Sequence, residues 1–136
     1  MLRAVVDTNI LFEGLTKVGA AGTVIDHWVA RHFFPCVSTA LALKYEEVIT
    51  NKLSAGKRER ALTALPALLN RADFVPIPYR LRPLSPDPDD DFLIECAFHA
   101  NAVIVSANLR DLLMPSRGVG VTVHTAERLL LLLKES

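Results

Sequence analysis

The sequence is short of cysteine and of long apolar runs, and both shortages exclude classes of protein. Its 136 residues include only Cys36 and Cys96, each in apolar surroundings, which favours reduced, buried thiols over a disulfide framework. No apolar run reaches the ~18 residues that a membrane span requires. The N-terminus has no charged region followed by an apolar leader. We therefore expect a cytoplasmic protein without a membrane segment.

Net charge is also absent, because 15 Lys and Arg residues balance 15 Asp and Glu residues. This balance argues against strong non-specific affinity for nucleic acid. The charges are unevenly placed, since acids crowd into residues 87–91 and bases into residues 52–60. We interpret the basic segment as a solvated helix face.

Several catalytic patterns are missing as well. The segment 118–120 lacks the spacing of a dinucleotide-binding loop, and there is no Walker pattern. A doubly wound phosphatase or nucleotide-binding domain is therefore disfavoured. Neither Ser38 nor Ser106 has a neighbouring His–Asp arrangement typical of a catalytic triad, which leaves a nucleophilic hydrolase with little support. The histidines are scattered without the spacing of a zinc site: His27, His32, His99 and His124.

The pattern that is present is an alternation of short apolar strands and longer helical segments. Strands are predicted from Leu2 to the residue before Asp7 and at 33–37, 74–77, 102–105 and 119–123. Pro76 places the third strand at a sheet edge. A hydrophobic content of 51% and a mean hydropathy of +0.29 fit a parallel sheet covered on both faces. The expected fold is one α/β domain over residues 1–136: a three-layer α/β/α sandwich with a central, mainly parallel five-stranded sheet.

Helices are predicted between these strands. Ser38 is a suitable cap for the third of them, and Pro66 should kink or split the fourth. The segment 79–88 is rich in proline and is expected to be irregular. The predicted helices cover residues 10–15, 23–32, 39–53, 57–71, 89–101, 109–113 and 125–134.

The first strand ends at a carboxylate, Asp7, which is followed by the small polar residues Thr8 and Asn9. A buried strand does not end on an ionised group for hydrophobic reasons, and such a group needs water, donors or a cation. In open parallel sheets, ligands bind just beyond the carboxyl ends of the strands. Asp7 is therefore the first candidate for chemistry.

A second set of carboxylates opens the fifth helix, where four Asp residues lie within residues 87–91. The helix dipole favours one or two acids there, but four like charges repel one another. Helical phasing places Asp90 one turn before Leu93 and Ile94, on the face that packs against the sheet. Asp90 is thus predicted to point inward, with Asp91 as the second choice. The other two, Asp87 and Asp89, are expected in solvent.

The fourth strand ends with Ser106, followed by Asn108 and Asp111. Ser106 can orient a carboxylate, and Asn108 offers a neutral oxygen ligand. Taken by themselves, these residues are better explained as a simple cap of the next short helix. Together with Asp7 and Asp90 they predict a hard-oxygen site for Mg²⁺ or Mn²⁺, an ion able to activate water for in-line attack on a phosphodiester.

The segments 5–11 (Val-Val-Asp-Thr-Asn-Ile-Leu) and 105–112 (Val-Ser-Ala-Asn-Leu-Arg-Asp-Leu), with the acidic helix start between them, resemble the PIN domain over essentially the whole chain. The most similar branch is the VapC-like toxins of toxin–antitoxin systems. The resemblance implies a divalent-metal endoribonuclease acting on single-stranded RNA, often homodimeric and inhibited by a partner antitoxin. It matches Asp7 to the first family acid, Asp90 to the helix-start acid, and Asn108 and Asp111 to the last cluster.

One position departs from the family pattern, because Lys44 stands where similar sequences usually carry Glu. The exchange alters the site by nominally two charge units, and Asn108 replaces an acid found in many relatives. Glu47 lies one helical turn beyond Lys44 and is a candidate for the missing catalytic acid, while Glu46 points elsewhere. An exposed helix face explains both glutamates equally well. Two hypotheses follow: a nuclease that uses Glu47, or an impaired PIN protein that binds RNA or a partner without cleavage.

Overall fold

A five-stranded parallel sheet forms the centre of the structure, a computed structural model that describes residues 1–16, 19–81, 85 and 87–135. The strand order is β3-β2-β1-β4-β5, and every pair is parallel. The predicted α/β class and sheet are therefore confirmed. The strands are β1 (Arg3–Val6), β2 (Phe34–Val37), β3 (Asp73–Phe74), β4 (Val103–Val105) and β5 (Val123–His124).

The helices lie on both faces of this sheet. Right-handed crossovers place α1 to α4 on one face, because the chain moves from β1 through β2 to β3 in one direction. They place α5 and α6 on the other face, because the chain then moves back to β4 and β5. The helices are α1 (Thr8–Leu15), α2 (Gly19–Val29), α3 (Thr39–Lys52), α4 (Ala55–Asn70), α5 (Pro88–Ala100), α6 (Leu109–Gly118) and α7 (Ala126–Glu135).

The order in which strands are added to the sheet reverses at the neighbouring parallel strands β1 and β4. Val5 pairs with Ile104, and Val6 pairs with Val105, so both strands end at the same level. The connection after β1 leads towards one edge of the sheet and the connection after β4 towards the other. A reversal of this kind opens a crevice beyond the carboxyl ends of the two strands, where α/β proteins bind ligands.

The core beneath this crevice is closely packed. Val5, Val6 and Ile104 are fully buried in the two central strands. Trp28 is also fully buried, and its indole Nε1 donates a hydrogen bond to the carbonyl of Leu68 at 2.9 Å. Both cysteines are free and buried, in agreement with the prediction.

The second helix begins earlier than predicted, at Gly19 rather than at residue 23. The predicted gap between the first two helices rests on Gly19 and Gly22, but both glycines lie within α2. At Gly14 of the neighbouring helix α1, a Cβ atom would lie 2.3 Å from Cγ1 of Ile25 and 2.7 Å from the carbonyl oxygen of Ala21. Helices α1 and α2 therefore pack more closely than larger side chains would permit.

The fourth helix continues through Pro66 from Ala55 to Asn70, so of the predicted kink or split the split is wrong. Proline removes one helical hydrogen bond, but Pro66 lies on the exposed side, where water can satisfy the freed carbonyl. On the opposite side, Leu65 and Leu68 are buried and hold the helix on either side of the proline.

Both edge strands are shorter than predicted. The third strand lies at the edge, as expected, but it covers Asp73–Phe74, and pairing with β2 ends at the Val75 N–H, before Pro76. The fifth strand covers Val123–His124 instead of 119–123, because α6 extends to Gly118 and a turn follows it. Within the irregular segment 79–88, residues 82–84 and 86 lie outside the described residues. None of the described helices combines the length and apolar character needed to cross a membrane.

Candidate metal-binding active site

Asp7 lies at the crevice between the central strands, and three hydrogen bonds hold its backbone N–H and its carboxylate. Its backbone N–H donates to the carbonyl of Val105 at 2.9 Å, which continues the pairing of β1 with β4. The Ser106 hydroxyl donates to Oδ2 of Asp7 at 2.6 Å, and the Thr8 hydroxyl donates to Oδ1 at 3.2 Å. The carboxylate is thereby fixed in one orientation, and the structure places Ser106 where it can orient Asp7.

Ser106 connects this carboxylate to the start of α6. The side chain is fully buried, and its hydroxyl oxygen accepts a hydrogen bond from the backbone N–H of Asn108 at 2.8 Å. Asn108 is the half-buried N-cap residue of α6, and Asp111 lies exposed in the first turn of that helix. Asn108 is thus linked to Asp7 through Ser106, and Asp111 lies less than one helical turn beyond Asn108.

A residue that sequence reasoning missed supports Asp7 from below. Tyr45 of α3 is completely buried, and its hydroxyl donates a hydrogen bond to the carbonyl of Val6, the residue before Asp7. Burial raises the pKa of this phenol well above its usual value, so the hydroxyl keeps its proton. The i, i+4 spacing of Leu41, Tyr45 and Ile49 identifies a core face, but it does not reveal this polar contact.

Asp90 lies in the first turn of α5 and is only 8% exposed. Its Oδ2 atom is buried and has no hydrogen-bond partner within the described part of the chain. Burial raises the pKa of Asp90 to about 6, and the negative charges of Asp87, Asp7, Asp111 and Asp89 add to the rise. A helix N-terminus stabilises a carboxylate, so burial and like charges outweigh the helix dipole here. Asp7 and Asp111 thus act electrostatically on Asp90.

The raised pKa of Asp90 predicts an unusual pH dependence of stability. The folded protein binds the proton of Asp90 more tightly than the unfolded chain, for which 3.8 is the ordinary pKa. The stabilisation by protonation is therefore lost as the pH rises through 6. In urea unfolding with a chelator, the wild type should lose about 1–3 kcal/mol relative to Asp90→Asn between pH 4.5 and pH 8. If the free energy of unfolding changed with pH in the same way for both proteins, the raised pKa of Asp90 would be contradicted.

Asp91 has a different environment from its neighbour, although it is also buried. Its Oδ1 atom accepts hydrogen bonds from the backbone N–H and from the hydroxyl of Ser85, each at 2.9 Å. Asp91 therefore anchors the segment before α5 and has its acceptor oxygen occupied. Asp87, exposed as predicted, caps the helix by accepting from the backbone N–H of Asp89 at 3.0 Å.

Lys44 forms an ion-pair cluster with Asp89 and Glu47. Its Nζ atom lies 2.9 Å from Oδ2 of Asp89 and 3.4 Å from Oε1 of Glu47. The hydrogen bond to Asp89 is the main cause of a raised Lys44 pKa. The Lys44 side chain is 20% exposed, against 52% for Asp89 and 58% for Glu47. Lys44 thus forms its ion pairs with the residue before Asp90 and with Glu47.

The donor set at the crevice suits a hydrated, hard cation. Among the described residues, no group of three or more His, Cys, Asp or Glu side chains is arranged so that it could hold a metal ion by itself. Mg²⁺ does not need one, because it keeps several waters and binds through one or two carboxylates. The buried, unpartnered oxygen of Asp90 and the oriented carboxylate of Asp7 fit this requirement. Asn9 is exposed nearby in sequence, in the first turn of α1.

These features define an α/β protein with carboxylates at the switch point of a parallel sheet, and comparison of the sequence with known families agrees. The PIN domain family matches residues 3–110, so the chain belongs to the PIN domain family. The family membership predicted from the motifs is therefore confirmed. No curated protein matches the sequence.

Comparison with solved structures finds the same fold in two complexes. One is a chain of VapBC2 from Rickettsia felis, whose crystal structure contains a DNA fragment from the VapBC2 promoter. It aligns with a TM-score of 0.62 and 13% sequence identity, and the alignment covers 91% of this chain and 98% of that chain. A chain of DNA-bound VapBC from Salmonella typhimurium has a TM-score of 0.64 and 16% identity, covering 93% and 99%. At such identities the likeness shows the fold.

Proposed function

We propose that this protein is a divalent-metal-dependent endoribonuclease that cleaves single-stranded RNA and acts as the toxin of a toxin–antitoxin pair. The observation that carries the proposal is the buried, unpartnered carboxylate oxygen of Asp90, in the electrostatic neighbourhood of Asp7 at the switch point of the sheet. PIN domains are generally metal-dependent nucleases. A bound cation would relieve the repulsion among these acids. No hydrogen bond among the described residues does so for the Oδ2 atom of Asp90.

The proposed metal ligands are Asp7 and Asp90, with Asn108 and Asp111 completing the oxygen-rich border on the α6 side. Mg²⁺ or Mn²⁺ bound there would supply a nucleophilic water and charge neutralisation for phosphodiester hydrolysis. Both ions prefer oxygen ligands, which is the chemistry of this set. Asp91 and Asn9 play supporting roles, Asp91 by anchoring the segment before α5.

The remaining side chains act on the orientation of Asp7. Ser106 and Thr8 each donate to one oxygen of the Asp7 carboxylate. Tyr45 fixes the preceding peptide group by donating to the Val6 carbonyl. Because these donors are already in place, the carboxylate needs little reorganisation when charge develops on a bound phosphate.

An antitoxin protein is the proposed partner, and a homodimer is the proposed assembly. The antitoxin is supported by the fold, because both similar structures described above are VapBC complexes. The homodimer is proposed from the resemblance to VapC-like toxins alone. A cytoplasmic location follows from this role, since the RNA substrate and the antitoxin must meet the enzyme there.

A second function is favoured by one specific observation: Lys44 pairs with Asp89 and Glu47 at the start of α5. An ammonium there weakens the attraction for a divalent ion and occupies the acid best placed to replace the missing family glutamate. The alternative is thus an impaired PIN protein that binds RNA or a protein partner without cleaving.

Cleavage assays with Mn²⁺ test the proposal. We expect the wild type to cut single-stranded RNA, to leave duplex RNA and single-stranded DNA of the same sequence intact, and to stop when EDTA is added. Asp90→Asn should lose the activity, because the amide cannot balance the charge of the ion. A wild type that binds RNA but leaves a varied set of RNAs uncut with Mn²⁺ would support the impaired alternative.

A further inference from the structure

A cavity of about 420 Å³ lies between the C-terminal ends of α1 and α3 and the first turns of α4. Its floor is apolar and includes Leu15, Leu53 and Ala61, of which the latter two are buried in the core. Its volume falls in the range of small-ligand sites, roughly 300–1,000 Å³. The cavity is thus large enough for a group the size of a nucleobase.

Two cations, Lys57 and Arg60, border this cavity. Both side chains are exposed, and neither forms an ion pair with a carboxylate in the part of the chain described by the structure. Arg58, between them, has another role, because it donates a hydrogen bond to the carbonyl of Leu53 at 3.2 Å and joins the start of α4 to the end of α3. Free positive charge therefore faces the solvent at the rim of an apolar cavity.

The cavity is connected to the acidic crevice by helix α1. Asp7 is the N-cap of α1, and Leu15, which lines the cavity, is its last residue. Eight residues at a rise of ~1.5 Å place the two ends about 12 Å apart. A flexible polymer with its reacting phosphate at Asp7 and Asp90 would therefore reach the cavity along one side of this helix.

We propose that this cavity is a subsite for one nucleotide of single-stranded RNA flanking the cleaved bond, an inference that rests on the proposed nuclease function. The base packs against the apolar floor, and the neighbouring phosphates pair with Lys57 and Arg60. Each nucleotide offers an apolar face and an adjacent negative charge, which is the combination that the cavity presents. The floor carries no charged group, so the subsite accepts different bases.

Binding of labelled single-stranded RNA to the Asp7→Asn protein, followed by fluorescence anisotropy, tests this without cleavage. Adding Lys57→Gln and Arg60→Gln removes two phosphate contacts, so the slope of log K against log salt concentration should fall by about 1.4. The parent should then lose ~7-fold more affinity than the variant between 50 and 200 mM salt. Ala64→Phe, which fills the cavity from α4, should weaken binding without altering the slope.

The matched control is Arg128→Gln with Lys134→Gln, which removes two exposed charges from α7, away from the cavity. This control should bind RNA as the parent does, and melting curves should show that all variants fold. Equal salt slopes for the control and the Lys57/Arg60 variant, or unchanged RNA affinity of the Ala64→Phe variant, would overturn the subsite. If no variant changed the RNA affinity, the subsite would also be overturned, and a protein partner would become the candidate occupant of the cavity. If the wild type cleaved no RNA, the proposed nuclease function would be refuted, but the binding measurements would still test the subsite separately.

Discussion

Asp7→Asn is expected to abolish RNA cleavage and to remove most of the stabilisation that Mn²⁺ gives the protein. The substitution keeps the size of the side chain and an acceptor for Ser106, but it removes one negative charge from the proposed ligand set. Two unit charges 4 Å apart attract by about 4 kcal/mol at an effective dielectric constant of 20. Loss of the carboxylate should therefore weaken Mn²⁺ binding by about 100-fold or more.

Thermal melting turns this loss into a measurable shift. An ion at 100 times its Kd stabilises the folded state by about 2.7 kcal/mol, which for a chain of this length raises Tm by about 9 °C. At the same Mn²⁺ concentration, a 100-fold weaker variant gains about 0.4 kcal/mol, or about 1 °C. Each protein is compared with its own metal-free Tm, because the substitution also alters the hydrogen bond to Ser106.

The control for this experiment is Glu127→Gln, which removes an exposed carboxylate from the first turn of α7. It should retain both the activity and the full Mn²⁺ shift of the wild type. Equal Mn²⁺ shifts in the wild type and in Asp7→Asn would place the bound ion elsewhere on the protein and refute the proposed ligand set.

Lys44→Glu is expected to have the opposite effect on the same site. In the wild type, the Lys44 ammonium pairs with Asp89 and holds Glu47 at the start of α5. The substitution changes the local charge by two units and releases both acids, so Mn²⁺ affinity should rise by about tenfold or more, equivalent to about 1.4 kcal/mol. Cleavage of single-stranded RNA should rise with it. The metal-free Tm should fall, because three carboxylates would then face one another.

Lys44→Gln is the matched control, because it removes the ammonium without adding a ligand. A smaller gain in Mn²⁺ affinity for this variant than for Lys44→Glu would show that the new carboxylate itself contributes. Glu47→Gln separates the two functional hypotheses: if Glu47 serves as the fourth acid, this variant of the wild type loses cleavage. Isothermal titration calorimetry measures the Mn²⁺ affinity of both variants. If Lys44→Glu bound Mn²⁺ no more tightly than Lys44→Gln, this would argue against α3 as part of the site.

Much of the fold could be predicted from local sequence patterns. The apolar run before Asp7 and the similar run before Ser106 predict two buried parallel strands, and such strands must end at one edge of the sheet. The phase of α5 distinguishes the inward Asp90 from the outward Asp87 and Asp89, since side chains three or four residues apart share a helix face. These inferences use only the geometry of single elements.

The features that the sequence did not predict depend on packing between helices and strands. Gly19 and Gly22 suggested a break between the first two helices, but both lie within α2. The close approach of α1 and α2 instead requires the small residue at position 14. Pro66 suggested a break in α4, yet the buried Leu65 and Leu68 keep the helix continuous. The free energy of burying apolar surface outweighs one missing helical hydrogen bond in such cases, and no local propensity expresses that balance.

The sequence by itself determined the family, the parallel sheet and the approach of Asp7 to Ser106, because chain order and periodicity specify which strand ends meet. The tertiary structure alone decided how the polar groups are satisfied. It assigned Asp91 to Ser85, left the Oδ2 atom of Asp90 without a partner among the described residues, and paired Lys44 with Asp89. The physical reason is that a hydrogen bond or an ion pair is made or lost when the distance between two groups changes by less than an ångström, and helical or strand periodicity does not specify positions that finely.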